Sequence, residues 1–433
     1  MSRNVFQAFN DDELPETREP DDVYEPDDGS DSEGEEFNYT YPPDEDLPDD
    51  DLDSDEEYVL TEMGPVAFRF TEDYQPSTSA NPDIGEPHDQ RLRAKDGTLW
   101  SITPPANQKT PSKNIFRPAK TRHSNCNGMS DPTSAFNLFI SPNIIRDIVK
   151  FTNLEGQRMD GGKWMQTDEI EIKALIGCFI HLGAMNQSMF PSELIWDVKC
   201  GNPMARSVFT RNRFLKLSNR LRFDDKETRT ERRERDAFAP IRDLWERFQS
   251  NLRRYYTPGP FITVDEQLYP WRGRCSFLQY LPSKPDKYGL KVFWACDAET
   301  MFPLVGKPYL GKVGRTPQVN LGRNTALELC EPFFGSGRNL TCDSFFTDME
   351  LCKALSTEKL TMVGTLRRNK VFIPPEFQDP KQTEKGKPRF AFRKGSMLVS
   401  YKSGQKKNVI VLSSMHSDAA IVPEKGEKNL PEV

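Results

Sequence analysis

The spacing of apolar residues changes near the middle of the chain. From about Asp131 it is helical: Ser141-Pro142 can cap and start a helix carrying Ile144, Ile145, Ile148 and Val149, and Thr167-Asp168 can cap another running to Leu182. A third segment, 210–223, sets Phe214, Leu217 and Leu221 on one stripe and Arg213, Lys216 and Arg220 on a parallel stripe one residue behind. A fourth, 236–255, carries Ile241, Leu244, Trp245, Phe248 and Leu252 at the same spacing, as core residues would be. After Pro258-Gly259-Pro260 the pattern shortens. FITVDEQLY, CSFLQY, LKVFWACDAE and PLVGKPYL are β-branched and aromatic runs parted by turn residues, and read as strands. NTALELCEPFF then reads as helix, NLTCDSFF as extended, TDMELCKALSTEKL as helix and TMVGTLRR as extended, with a hairpin turning near Gly404. Strands followed by alternating helix and strand predict a mixed α/β domain.

Charge alters this picture at the N-terminus. Residues 1–60 hold 24 acidic residues against Arg3 and Arg18, so this segment carries −22 and the remainder of the −8 chain carries +14. With few aliphatic residues to bury, 1–60 is expected to be a disordered, solubilising tail. Ser30, Ser32 and Ser54 each precede an acid by three positions, which would suit an acid-directed kinase. Residues 61–130 read as a Pro-, Ser- and Thr-rich linker. A basic body favours polyanionic partners, although +14 over so long a chain is equally an ordinary solvated surface. Eight cysteines without a Cys-x-x-Cys pair, and four histidines, argue against zinc and for reduced thiols in an intracellular protein. No apolar run approaches the ~20 residues that span a bilayer.

Two acids follow apolar runs: Asp265 after Phe261-Ile262-Thr263-Val264, and Asp343 after Asn339-Leu340-Thr341-Cys342. Adjacent strands would deliver both carboxylates to one sheet edge, where divalent ions about 4 Å apart could bridge a scissile phosphate. Alone, such a pair is a weak signal among the many acids present. Asp348 and Glu350 could help to shape such a site, and Asp418 is the best internal candidate for a further acid. Glu266 should point to the opposite face by strand alternation, so a salt bridge is its expected role. Arg272, Arg274, Lys284, Lys287, Lys291, Lys312 and Arg315, with Arg367, Arg368 and Lys370, lie around these acids in sequence. Trp271, Tyr280 and Tyr288 are interleaved with them and could stack on bases, although core packing is the expected role of the tyrosines.

The ordered stretch TVDEQLYPWRGRCSFLQYLPSKPDKYGLKVFWACDAET resembles the catalytic signature of piggyBac transposases. YLGKVGRT and CDSFFTDMEL resemble further elements of that family, and RFLKLSNRLRFDDKETR with DAFAPIRDLWERF resembles its helical region, so the likeness spans about 131–425. It implies an RNase H-like catalytic domain (259–425) preceded by one half of a helical dimerisation and DNA-binding region (131–258), with 426–433 a truncated end. It further implies Mg²⁺ or Mn²⁺ ions, double-stranded DNA as partner, a homodimer, the nucleus as location and cut-and-paste movement at TTAA sites. No small-molecule substrate or membrane is implied. Asp265 and Asp343 match the family's first two catalytic and metal-binding aspartates. The cations named above, with Arg213, Lys216 and Arg220, would contact DNA. The family's third aspartate follows a Pro-Glu-Val segment; here that segment is Pro431-Glu432-Val433, so the third acid is expected beyond Val433. The reading is therefore a transposase inactive over these residues, the alternative being a domesticated DNA-binding or chromatin-associated protein without catalysis.

Overall fold

A computed structural model describes residues 91–105, 116, 126, 129, 131–271, 273, 275–282, 284–311, 319–379, 384–402, 404, 408–423 and 429–431. The acidic segment 1–60 and the cations Arg272, Arg274, Lys312 and Arg315 lie outside them. Two short strands, β1 (Arg91–Arg93) and β2 (Leu99–Ser101), come first. Eight helices follow: α1 (Pro132–Phe139), α2 (Pro142–Asp160), α3 (Glu169–Ala184), α4 (Ser192–Ile195), α5 (Pro203–Val208), α6 (Arg211–Arg220), α7 (Arg229–Arg235) and α8 (Arg242–Tyr255). Then come β3 (Phe261–Pro270), β4 (Gln279–Tyr280), β5 (Tyr288–Asp297), β6 (Pro303–Pro308), α9 (Leu321–Cys330), β7 (Asn339–Cys342), α10 (Met349–Thr357), β8 (Thr361–Thr365) and α11 (Pro375–Gln378). Strands β9 (Arg389–Arg393), β10 (Ser396–Lys402), β11 (Asn408–Ser413), β12 (Ile421–Pro423) and β13 (Asn429–Pro431) end the described chain.

The helix starts follow their capping residues. Asp168 accepts a hydrogen bond from the Glu171 backbone at the head of α3, and Thr210 one from Arg213 at the head of α6. Helix α6 ends at Arg220 because Leu221 leaves the helical region with ψ 123°. Helix α8 begins at Arg242 rather than at 236. The Asp236 carboxylate takes the Arg242 guanidinium at 2.7 and 2.8 Å and the Phe238 N–H at 3.0 Å, which closes a turn ahead of the helix. Ile144, Ile145 and Ile148 of α2 pack on Ile172 of α3, and Leu175, Cys178 and Leu182 of α3 pack on Phe214 and Leu217 of α6.

The main sheet runs β1-β2-β9-β10-β11-β8-β7-β3-β5-β4, with β6 also on β5. Its pairings are antiparallel except β3–β7 and β7–β8. Those two parallel pairings need crossovers, supplied by α9 and α10. The helices pack against the sheet through one apolar core that includes Val264, Phe293, Leu340, Met362, Ala326, Leu329, Leu351 and Leu355. The result is a mixed α/β fold. Segment 275–280, read as a strand, keeps only the two-residue β4. The linker reading of 61–130 missed β1 and β2, which pair with each other and, through Ser101, with β9. Trp100 explains their attachment: it is fully buried in the core, and its indole N–H donates to the Phe372 carbonyl at 2.9 Å. No described helix is long and apolar enough to cross a membrane.

Candidate active site

Strand β3 alternates buried Ile262 and Val264 with half-buried Phe261 and Thr263, and this apolar face fixes its depth in the sheet. It pairs in parallel with β7 from Phe261↔Asn339 to Val264↔Cys342, where β7 stops. The next residues are Asp265 and Asp343, which therefore emerge side by side at the carboxyl ends of neighbouring strands. Carboxylate oxygens of Asp265, Glu266 and Asp343 all lie within 4.8 Å of one another, the one gathering of potential metal ligands among the described residues.

Glu266, expected on the opposite face of β3, nevertheless brings its carboxylate to the two aspartates at the strand end. Asp265 Oδ1 accepts the Glu266 backbone N–H at 2.7 Å, so the Asp265 carboxylate lies back along the chain towards its neighbour. With β7 ended, no strand separates the two acids on that side. Glu266 also forms the expected salt bridge, with Lys284 Nζ at 3.2 Å from Oε1. Asp343 accepts the Phe345 N–H on its carboxylate at 3.0 Å. Its carbonyl takes the Thr347 N–H and hydroxyl at 3.1 and 2.7 Å, which turns the chain into α10.

The electrostatics set these acids apart. Asp265 and Asp343 are open to solvent on one side, but surrounding protein removes enough hydration to raise both carboxyls above their ordinary range. The Glu266 charge raises both further. Asp297, at the far end of β5, shows the opposite outcome. Burial alone would raise it, yet backbone N–H groups of Thr300, Gly259 and Glu299 at 2.9, 2.7 and 3.0 Å hold it below the usual value. Lys291 faces the three acids with its ammonium 4.7 Å from the Phe293 ring centre and 5.0 Å from that of Phe345. Loss of hydration lowers its pKa, against the pull of Glu266, Asp343 and Asp265.

The remaining candidates fall elsewhere. Asp348 caps α10 through the Leu351 N–H at 2.6 Å and binds Arg323 of α9 at 2.6 Å; Glu350 pairs with Lys353 on the helix surface. Asp418 is exposed and outside the acid cluster. Lys287 is exposed near the tip of β5. The cations of α6, expected to face DNA, are engaged within the protein. Arg213 binds Glu171 at 2.7 and 2.5 Å, Arg220 binds Asp160 at 3.1 Å, and Lys216 Nζ lies 3.9 Å from Asp160. Tyr280 and Tyr288, expected in the core, are 52% and 46% exposed.

Known proteins share this arrangement of elements. A family model described as Transposase IS4 matches residues 131–430. Human PiggyBac transposable element-derived protein 3 is 23% identical over 92% of this chain and 61% of its own length. The human Chimeric ERCC6-PGBD3 protein is likewise 23% identical, over 92% of this chain and 34% of its own. The chain thus spans about three fifths of the first relative and a third of the second. A cryo-EM structure of the piggyBac transposase synaptic complex with hairpin DNA is 38% identical, covers 70% of this chain and 65% of that one, and superimposes with a TM-score of 0.65. With the family model covering well over half of its length, this chain belongs to the Transposase IS4 family, in its piggyBac-type branch.

Proposed function

We propose that the chain carries the strand-cleaving and strand-transferring centre of a piggyBac-type DNA transposase, acting in the nucleus at TTAA sites on an RNase H-like sheet. The observation that carries this reading is the convergence of Asp265, Glu266 and Asp343 within 4.8 Å. Hard carboxylate oxygens suit Mg²⁺ or Mn²⁺, and acids whose carboxyls are raised by crowding gain most from a cation placed among them, so the residues fit the metal that the family implies. Asp265 and Asp343 would hold it, with Glu266 beside them. When bound, such an ion supplies electrophilic stabilisation at the scissile phosphate. Lys291, kept near the acids by its two aromatic neighbours, holds a phosphate oxygen, and Lys284 orients Glu266 through their ion pair. Residues 131–258 support the sheet as the helical dimerisation and DNA-binding region.

Titration of the 433-residue chain with Mn²⁺, followed by calorimetry, tests the centre. Binding weakened at least about tenfold by Asp343→Asn supports it, and an unchanged affinity sinks it. Salt-dependent DNA binding is the expected behaviour of this chain. Robust cleavage abolished by Asp343→Asn would show that the three gathered acids suffice. The name of the human relative, a transposable element-derived protein, favours a second reading as a DNA-binding derivative without catalysis. Failure to bind Mn²⁺ together with retained DNA binding would select it.

A further inference from the structure

The carboxylates lie at one end of a longer surface along β5. From Trp294, which pairs with Asp265, the strand passes Lys291 and reaches a tip where β4 pairs with Tyr288 and Gly289. There Tyr280 and Tyr288 are direct cross-strand partners, with ring centres 4.7 Å apart and planes tilted by 41°. Both keep about half of their surface in water. Lys287 beside them is also exposed.

Scattered exposed aromatics are ordinary, and a cross-strand aromatic pair can simply steady a hairpin. This pair differs because its ladder is only two residues long while the tip is fixed by other means. The Trp271 N–H donates to the Tyr288 carbonyl at 3.3 Å, and the Leu281 N–H to the Lys287 carbonyl at 2.7 Å. Gly289 lets β5 pass so close to β3 that an added Cβ would meet the Tyr269 carbonyl oxygen at 2.3 Å. The rings are thus held at the surface of a pinned tip, with the exposed Lys287 next to them in the chain.

We infer that Tyr280 and Tyr288 form a stacking platform for an unpaired base of DNA, with the exposed Lys287 holding a neighbouring phosphate. The inference rests on the DNA reading of the carboxylate centre. An unpaired base fits because bases within a duplex stack on one another and offer only their edges, whereas exposed aromatic rings beside cations suit a splayed strand. The platform stands about 20 Å along β5 from the level of Asp265, given the rise of a strand.

The full chain is mixed with two DNA probes, a blunt duplex and the same duplex with a short single-stranded extension carrying 2-aminopurine. Quenching of the 2-aminopurine by the wild-type chain is expected. Tyr280→Ala/Tyr288→Ala should abolish it and bind the extended probe on the order of tenfold more weakly, with blunt-duplex affinity held within about twofold. Tyr280→Phe/Tyr288→Phe should behave as wild type, because the ring stacks and the hydroxyl does not. Salt-dependent binding by the wild type without quenching overturns the platform, even where the alanine variant fails to fold. So does an alanine variant that melts like wild type and binds both probes equally well, or quenching lost in the presence of a proline-rich peptide that seats on the same rings more tightly than DNA. Binding of neither probe removes the DNA reading itself, and this inference with it.

Discussion

In the helices around α2, Asp160, Glu155 and Glu171 each meet an arginine, whereas at the ends of β3 and β7 three acids share two lysines. The two regions also differ in what holds them. Phe214, Leu217 and the isoleucines of α2 give the helices modest apolar clusters, and ion pairs lash α6 to α2 and α3. The sheet rests on a larger continuous core, at the edge of which the crowded acids sit. Charge that is matched is structural here, and the crowded charge is where the proposed metal would sit.

The largest effect expected from that contrast is in the sheet's core. Trp100→Ala should cost about 4 kcal/mol in denaturant unfolding, almost independently of salt, since it removes a fully buried indole and orphans the Phe372 carbonyl. A loss below about 1 kcal/mol would mean that β1 and β2 are not part of the cooperative unit. In the helices, Arg222→Ala should cost about 2 kcal/mol. It leaves Glu155, whose side chain is 3% exposed, with only the more distant Lys226 at 3.6 Å. Arg222→Ala/Glu155→Leu should recover part of that loss, and a double variant no better than the single one would refute the brace. Smallest, and opposite in sign, is Asp343→Asn, which should raise Tm by roughly 1–2 °C at pH 7 with chelator present. The folded-state carboxyl is raised, so its ionised form disfavours the fold. That cost is present above the folded pKa and vanishes below the unfolded value of about 4, so the gain from asparagine should fade as the solution is acidified through that range. A destabilised Asp343→Asn at pH 7 would contradict the idea of crowded acids.

What could be read from residues alone depended on distance along the chain. Asp265 and Asp343 were legible because each follows its own apolar strand, and a four-residue run is enough to signal burial. The cation stripe of α6 was legible as a stripe, but its acids sit far away at Asp160 and Glu171, and no local spacing reveals a tertiary pair. The hairpin of β1 and β2 was not visible, since RLR and LWS are too short for a period and only the burial of Trp100 gives them purpose. Glu266 was set apart because alternation gives the face of a strand, not how near neighbouring carboxylates come at its edge. Composition could not tell on which side of a two-residue ladder Tyr280 and Tyr288 would stand.

The parallel pairing of Phe261 with Asn339 carries a kinetic consequence. The β3–β5–β6 meander joins neighbours in the chain and can form early, but β7 takes its place only after α9 has crossed over, a contact of high sequence separation and correspondingly slow closure. Asp343 should therefore meet Asp265 after the β3–β5–β6 meander has formed. Mutual repulsion of the acids should then speed unfolding more than it slows folding.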